Sequence, residues 1–167
     1  MKKELKNPAL VLQGFPQTLV SVRDKAGRNN ALAVGYITNV NYNPAMMLIG
    51  IAPSRYSHHM IKENPYFVIN LPEKNYRKEF GYLGSASGAD TDKFSAMGIR
   101  WEDGEKVNAP ILTDCPVNIE CSVVGSSMLL THELFVGRIE KVHVNEEYLD
   151  ESGRIMWERM DLIGTWA

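Results

Sequence analysis

The sequence has few cysteines, no long apolar run and no excess of one charge. It contains two cysteines among 167 residues, 44% of the residues are hydrophobic, and the formal net charge is -2. No apolar run approaches the length of about 20 residues that a helix needs to cross a bilayer. Surfaces that bind nucleic acid carry a basic excess, which this composition lacks. We therefore expect a soluble protein with no membrane or nucleic-acid partner, whose anionic ligands are small.

Length and the first residues set further expectations. A chain of 167 residues suits a single domain over residues 1–167, and a domain of that size buries roughly 70% of its unfolded surface. The start, MKKELKNPAL, is basic but lacks the apolar core of a secretion signal. We therefore expect the protein in the cytoplasm.

The cysteines and histidines do not form a metal-binding pattern. Cys115 and Cys121 would lie about 20 Å apart on an extended strand, too far for a disulfide, so we expect buried, reduced thiols. No further ligand of metal-site spacing accompanies them, and the segment HELFV at His132 lacks the second histidine of a zinc-binding helix. We predict no metal site.

Patterns for catalysis by side chains are also missing. The chain has no Ser-His-Asp pattern, no pair of catalytic carboxylates and no environment that would activate a cysteine. It also lacks the G-x-G-x-x-G segment and the alternation of strands and helices typical of a Rossmann site. We predict no catalytic side chain, and any redox chemistry would come from a cofactor.

The periodicity of the chain indicates a mainly β protein. Apolar or alternating runs predict strands, and shorter segments near residues 57–64, 75–84 and 92–98 fit helices that begin at Ser57, Asn75 and Asp90. The segment 154–166 is ambiguous. Several strands with short helical insertions favour a closed β-barrel, since closure removes unpaired edges. The predicted strands are TLVSVRD (18–24), ALAVGYITNV (31–40), AMMLIGIA (45–52), YFVINLP (66–72) and a hairpin of VNIECSVVGSS with HELFVGRIEKVHVN.

The second strand carries small residues at alternate positions. Ala31, Ala33 and Gly35 leave one of its faces almost without side chains. Such a face allows close approach of a flat ligand or of another backbone.

The segment APSRYSHH, residues 52–59, combines three features that attract anions. Arg55 offers a planar guanidinium, Ser54 and Ser57 offer hydroxyls, and a helix begins here with unpaired N–H groups. The alternative is that Ser57 only caps the helix and Arg55 is a solvated turn residue.

The segment GSASGADTDKF, residues 84–94, places small residues before a lysine. If Asp90 caps the following helix, Lys93 lies in its first turn, where the helix dipole disfavours a cation unless an anion is bound. Ser85, Ser87 and Gly88 could bring donors to the same place. The alternative is a flexible surface loop with a solvated lysine.

These segments together resemble a known family. NNALAVGYITNVNYNPAMMLIGIAPSRYSHHMIKENPYFVINLP, followed by SGADTDKF, is similar to the flavin reductase family, and the resemblance runs from about Arg28 to Val144. It implies a mainly β fold, an FMN-binding split β-barrel with short helical insertions. It also implies a homodimer with one FMN per subunit near the interface, and hydride taken from NADH or NADPH.

The resemblance also assigns residues to the cofactor. It implies that the strand from Asn30 to Thr38 follows the flavin ring and that Arg55 and Ser57 contact the phosphate. Two positions depart from the family pattern: Thr131 replaces the acidic residue before His132, and Tyr36 stands where a tryptophan is common. The residues assigned to cofactor binding are Asn30, Ala31, Ala33, Tyr36, Ile37, Thr38, Ala52, Ser54, Arg55, Ser57, Ser87, Gly88, Lys93 and His132.

Three functions are compatible with these observations. The first is an FMN-binding oxidoreductase that reduces flavin or another acceptor with NAD(P)H. The second is an electron-transfer protein similar to flavoredoxin, with FMN but little direct nicotinamide activity. The third is an interaction barrel without a cofactor, in which the serine-rich turns are only turns.

Overall fold

The chain folds mainly into β-strands. The computed structural model describes residues 15–164. None of the helices in this range is long and apolar enough to cross a bilayer. The strands are β1 (Thr18–Arg23), β2 (Asn29–Val34), β3 (Ile37–Tyr42), β4 (Ala45–Ile51), β5 (Tyr66–Leu71), β6 (Trp101–Asp103), β7 (Pro110–Leu112), β8 (Val117–Met128) and β9 (Glu133–Val144), and the helices are α1 (Tyr56–Glu63), α2 (Arg77–Ser85) and α3 (Lys93–Met97).

Seven of the strands form one antiparallel sheet. Its order is β2-β1-β5-β8-β9-β4-β3, and every pairing within it is antiparallel. The predicted hairpin of β8 and β9 is confirmed, with Cys121 opposite Ile139 and Met128 opposite Glu133. An antiparallel sheet of this kind lacks the parallel βαβ units of a Rossmann site.

The second predicted strand is two strands. The expected strand over residues 31–40 breaks at Gly35 and Tyr36, and its halves, β2 and β3, are the opposite edges of the large sheet. Two residues therefore join the two edges, so the sheet must curl until these edges approach one another. The backbone N–H of Gly50, on β4, donates to the carbonyl of Tyr36 at 2.8 Å. This bond holds the two-residue link against β4. Periodicity alone could not reveal this break, since apolar residues continue on both sides of Gly35, from Ala31 to Ile37.

Alternate residues of β2 face two different cores. Leu32 and Val34 belong to the core enclosed by the sheet, together with Met60 and Ile61 of α1. Ala31 belongs to a second core formed with Leu83 of α2 and Phe94 of α3, among other residues. The period-two alternation of a strand explains this division.

Helix α2 covers the small-residue face of β2. A Cβ added to Gly84 on α2 would lie 3.0 Å from the Cβ of Ala33, so the helix and the strand are nearly in backbone contact. The interpretation of Ala31 and Ala33 as a wall for a flat ligand is therefore corrected. Their small size allows α2 to pack closely on β2, and Ala31 has no exposed surface.

The remaining segments differ from their predictions in detail. α2 begins at Arg77 after a 3₁₀ turn, so Tyr76 and not Asn75 occupies the N-cap position. The ambiguous C-terminal region contributes a 3₁₀ turn at Trp157–Arg159, and Leu162 pairs with Glu73. Both cysteines are buried and free. Burial raises the pKa of both thiols, that of Cys121 to about 12, so neither provides a thiolate at neutral pH.

Candidate functional site

Half of the predicted site residues line one small cavity. The cavity has a volume of about 120 Å³ and lies between the start of β2, the start of α1 and the segment from Leu83 to Lys93. Pockets that enclose whole small molecules measure roughly 300–1,000 Å³, so this one suits a single group of a ligand. We call it the cation cavity; the predicted residues that line it are Asn30, Ser54, Arg55, Ser57, Ser87, Gly88 and Lys93.

Arg55 stands at the open N-terminus of α1. It occupies the N-cap position with extended backbone, and no side chain caps the helix. The prediction that Ser57 caps this helix is wrong, because the helix begins one residue earlier, at Tyr56. Among the described residues, the Arg55 guanidinium has no hydrogen bond or ion pair, and the residue is exposed. The helix terminus and the guanidinium both favour an anion at this place.

Ser57 and Asn30 place a hydroxyl in the wall of the cavity. Ser57 is 1% exposed, and its Oγ accepts a hydrogen bond of 2.8 Å from Asn30 Nδ2. Asn30 engages one lone pair of Oγ, and the Ser57 hydroxyl proton remains available to be donated to a ligand. Asn30, at the start of β2, therefore orients the Ser57 hydroxyl as a donor.

Gly88 allows the elements around the cavity to approach each other. A Cβ at this position would lie 2.7 Å from Tyr56 Cδ1 and 2.8 Å from the Asn30 side chain. Any side chain here would push α1 and β2 apart. The groups that approach Gly88 are protein side chains, and its contact with a cofactor stays a prediction.

The Lys93 side chain is oriented differently from the prediction made from the sequence. Asp92, and not Asp90, is the N-cap of α3, since its carboxylate accepts from the N–H groups of Phe94 and Ser95. Lys93 is then the first helical residue and is 3% exposed. Its ammonium lies at the C-terminal end of α2, a position that the helix dipole favours for a cation.

The ammonium of Lys93 ties three segments together. Nζ donates to the carbonyls of Ala31 (2.5 Å), Leu83 (2.8 Å) and Ala86 (3.2 Å). These bonds use all three of its protons, so the predicted direct contact between Lys93 and a ligand is corrected to an indirect one. Lys93 joins β2, α2 and the segment before Ser87, and so fixes the shape of the cavity.

The charge of Lys93 has no counter-charge within the part of the chain that the structure describes. No described carboxylate pairs with Lys93 or with Arg55. Burial, and then the nearby Arg55 charge, lowers the pKa of Lys93 to about 8. Two cations that repel each other therefore flank a cavity with hydroxyl and N–H donors. A phosphate group fits this arrangement of charge, size and donors.

The other predicted residues lie around the link between β2 and β3. Tyr36 is 47% exposed, and its ring meets the ring of His132 edge to face with 4.8 Å between centroids. Thr38 is exposed and Ile37 is partly buried, while Ala52 is partly buried just before α1. His132 Nδ1 lies 2.9 Å from Thr131 Oγ1. Thr131 is the residue that stands where the family pattern has an acidic side chain.

Sequence reasoning missed the residues that hold α1 in place. Glu133, on β9, lies 2.7 Å from His58 Nε2 and 2.8 Å from Lys62 Nζ, and it accepts from Ser126 Oγ. The hydrogen bond from Lys62, followed by those from Ser126 and His58, lowers the pKa of Glu133 to about 2. The ionised Glu133 thus anchors the helix whose first turn lines the cation cavity. The i, i+4 spacing of His58 and Lys62 was the available signal, but their partner is 71 residues or more away.

Comparisons with known proteins agree with this geometry. The flavin reductase like domain family matches residues 14–160. Flavoredoxin from Methanosarcina acetivorans is 30% identical, with a TM-score of 0.88 over 100% of this chain and 94% of that one. Flavoredoxin of Desulfovibrio vulgaris (Miyazaki F) is 29% identical, with a TM-score of 0.86 over 93% of this chain and 82% of that one.

A curated relative has a more specific name. The NADH:riboflavin 5'-phosphate oxidoreductase of Streptomyces pristinaespiralis is 23% identical over 92% of this chain and 82% of its own length. Taken with the antiparallel sheet whose edges meet at Gly35 and Tyr36, these likenesses confirm the expected fold. The chain belongs to the flavin reductase like domain family and has its split-barrel fold.

Proposed function

We propose that this protein is an FMN-binding oxidoreductase that takes hydride from NADH or NADPH and reduces flavin or another acceptor. The observation that carries the proposal is the cation cavity, in which Arg55 and Lys93 have no carboxylate partner among the described residues. FMN supplies the redox chemistry, since its ring accepts a hydride and passes electrons on. The relatives named for flavin and for riboflavin 5'-phosphate support the same ligand.

The proposal gives each residue of the cation cavity a task. Arg55 holds the phosphate by a charged hydrogen bond, and Ser57 donates its hydroxyl proton. The first turn of α1 offers unpaired N–H groups. Lys93 raises the local positive potential from behind the wall without touching the ligand. Asn30 and Gly88 keep the wall in shape.

The surface around Tyr36 is our candidate for the flavin ring. The cavity is too small for the ring, which must then extend outside it. Tyr36 lies on the link between β2 and β3, Thr38 lies on β3, and the partly exposed Ala52 lies just before α1. The His132 ring contacts the Tyr36 ring. In this arrangement Tyr36 and His132 restrict water at one side of the ring, and no side chain has to act as a base.

The electron donor distinguishes two versions of the function. The chain has no Rossmann unit, so a nicotinamide would have to stack on the flavin in an open cleft. A second candidate is an FMN protein that exchanges electrons with other proteins. The likeness to two flavoredoxins at 29% and 30% identity favours that candidate.

We also propose that two copies of the chain form a homodimer. Edge strand β3 is almost entirely exposed, and Tyr42 on it is 100% exposed. Leu130, at the turn of the β8–β9 hairpin, is 104% exposed. Unpaired edges and large apolar surfaces are typical of contact between chains. The exposed apolar residues of these strands and their turn are Val40, Tyr42, Val124, Met128, Leu129, Leu130 and Val142.

We also propose that the protein is cytoplasmic, since its two free, buried thiols suit the reducing conditions there.

Absorption spectroscopy tests the redox function. Protein purified with FMN and freed from excess ligand is expected to retain the visible flavin band and to lose it under anaerobic addition of NADH or NADPH. A band that persists with both nicotinamides but bleaches with a chemical reductant would favour the electron-transfer version. Protein that retains no flavin would contradict both.

Arg55→Gln tests the phosphate site. We expect FMN affinity to fall by about tenfold or more, because a charged hydrogen bond to the phosphate is lost. Riboflavin, which has no phosphate, should bind with unchanged affinity. Arg77→Gln is the matched control, since Arg77 is exposed on α2 outside the cavity. Fluorescence titration measures the dissociation constants of both ligands for the wild type and for the two variants, and equal losses for both ligands in Arg55→Gln would remove Arg55 from the phosphate site.

Lys93 should make FMN binding depend on pH. Its pKa is lowered to about 8, so the ammonium is charged below that pH and loses its proton above it. A bound phosphate favours the charged form, and therefore FMN binding near pH 8 should take up a proton and weaken from about pH 7 to about pH 9. Calorimetry in two buffers of different ionisation enthalpy measures the uptake. Riboflavin is the control, and no difference in proton uptake between FMN and riboflavin would contradict this role.

Light scattering tests the dimer. The expected mass is twice the 18.8 kDa of one chain. Leu130→Asp should lower it toward one chain, because a charge would enter an apolar interface. Trp157→Asp is the control, as Trp157 is 50% exposed but lies outside these strands. A wild-type mass of one chain at micromolar concentration would contradict the proposal.

A further inference from the structure

A second and larger opening adjoins the cation cavity. It has a volume of about 790 Å³ and lies between the turn after β1, the segment Gly88–Asp92 and helix α3. We call it the outer groove. Its size is in the range of pockets that enclose a whole nucleotide, whereas the phosphate of FMN needs only the cation cavity.

Gly88 forms a wall of both spaces. It is the one residue that lines the cation cavity and the outer groove alike within the described chain. The phosphate site and the outer groove therefore adjoin each other at Gly88. This adjacency matters because the two phosphates of a dinucleotide are consecutive groups.

Arg28 stands at the junction. Its Nη2 is 3.5 Å from the Gly88 carbonyl, and its guanidinium lies 5.2 Å from the centre of the Tyr56 ring. Tyr56 lines the cation cavity, whereas Arg28 lines the outer groove. The nearest carboxylate oxygen, on Asp24, is 3.6 Å away, and the arginine side chain is 58% exposed. The Arg28 guanidinium packs against the Tyr56 ring, and its N–H groups remain available to donate to a second phosphate.

Trp101 supplies an aromatic surface in the same groove. It is 41% exposed, and the Arg23 guanidinium lies 5.4 Å from the centre of its ring. Arg23 is itself fixed by Asp103 at 2.7 Å and by Asn29 at 2.7 Å. A tryptophan supported in this way offers a preformed surface on which a base can stack.

The carboxylates of the groove limit where a phosphate can lie. The Asp92 carboxylate is committed to the cap of α3. Asp24 accepts from the Arg28 backbone N–H at 2.8 Å and belongs to the turn. Asp90 is exposed at the groove, where a carboxylate would repel phosphate but accept a hydrogen bond from a ribose hydroxyl or an exocyclic amino group. A ligand phosphate in the outer groove is therefore expected at the end that Arg28 lines.

We propose that the outer groove binds the adenosine diphosphate half of a dinucleotide, with Arg28 holding its phosphate and Trp101 its adenine. The inference rests on the proposed flavin phosphate site. The chemistry is shared by two ligands, FAD and a nicotinamide dinucleotide. Continuity with the cation cavity at Gly88 favours FAD, in which the adenylate follows the flavin phosphate directly.

Binding measurements with matched ligands test the groove. We expect the wild-type protein to bind FAD more tightly than FMN by about tenfold, since stacking and a charged hydrogen bond are added. Arg28→Gln and Trp101→Ala should each remove most of this difference while FMN affinity changes by less than about threefold. Lys25→Gln is the control: it removes one positive charge from the same turn, but Lys25 does not line the groove. Thermal melting verifies that each variant is folded.

A second arm identifies the source of the adenylate. ADP-ribose, titrated into FMN-loaded protein, should bind and be weakened by Arg28→Gln if the groove serves a nicotinamide dinucleotide. If FMN binds but FAD shows no advantage and ADP-ribose does not bind, the groove inference is overturned while the flavin proposal stands. If no flavin binds, the flavin proposal fails, and ADP-ribose titrated into the flavin-free protein decides the groove alone: Arg28-dependent binding supports it, and no binding overturns it.

Discussion

Two positive charges beside one small cavity, with no carboxylate partner for either among residues 15–164, are the constraint on which the rest of the site depends. Burying an ammonium is costly unless its protons are bonded, and Lys93 meets that requirement with three carbonyls from three segments. The bonds keep the group in place but leave its charge unneutralised. An anion in the cavity would lower the electrostatic energy of both Lys93 and Arg55, and we therefore expect the cavity to favour phosphate over neutral groups.

That arrangement in turn depends on several contacts of the fold. Lys93 can reach Ala31 and Leu83 at once only because α2 packs closely on β2, and this packing requires the small side chains of Ala31, Ala33 and Gly84. The other wall of the cavity depends on α1, which Glu133 anchors to β9. The cavity is thus held from two sides by polar contacts between elements distant in sequence.

Much of this could be read from the sequence, and the reasons for the failures are physical. Strand and hairpin positions followed from alternation and turn residues, and Arg55, Ser57 and Gly88 were identified from local chemistry. The break at Gly35 and Tyr36 could not be seen, because neither residue interrupts the apolar pattern and the change of partner strand is non-local. The small residues of β2 were correctly singled out, but a sequence cannot tell whether a ligand or a helix covers such a face. The direction of Lys93 depended on which aspartate caps α3, and Asp90 and Asp92 are both good caps.

The two-residue link between the sheet edges has a consequence for how the protein assembles. β1 with β2, β3 with β4, and β8 with β9 are local hairpins, whereas the pairings β1–β5, β5–β8 and β9–β4 join distant parts of the chain. Hairpins form in microseconds, but long-range pairings must first overcome the entropy of closing large loops. The hairpins at the two edges are already tethered to each other at Gly35 and Tyr36, so the ring of strands closes when the middle strands dock. We therefore expect the cation cavity, whose walls need the closed sheet, to form late in folding.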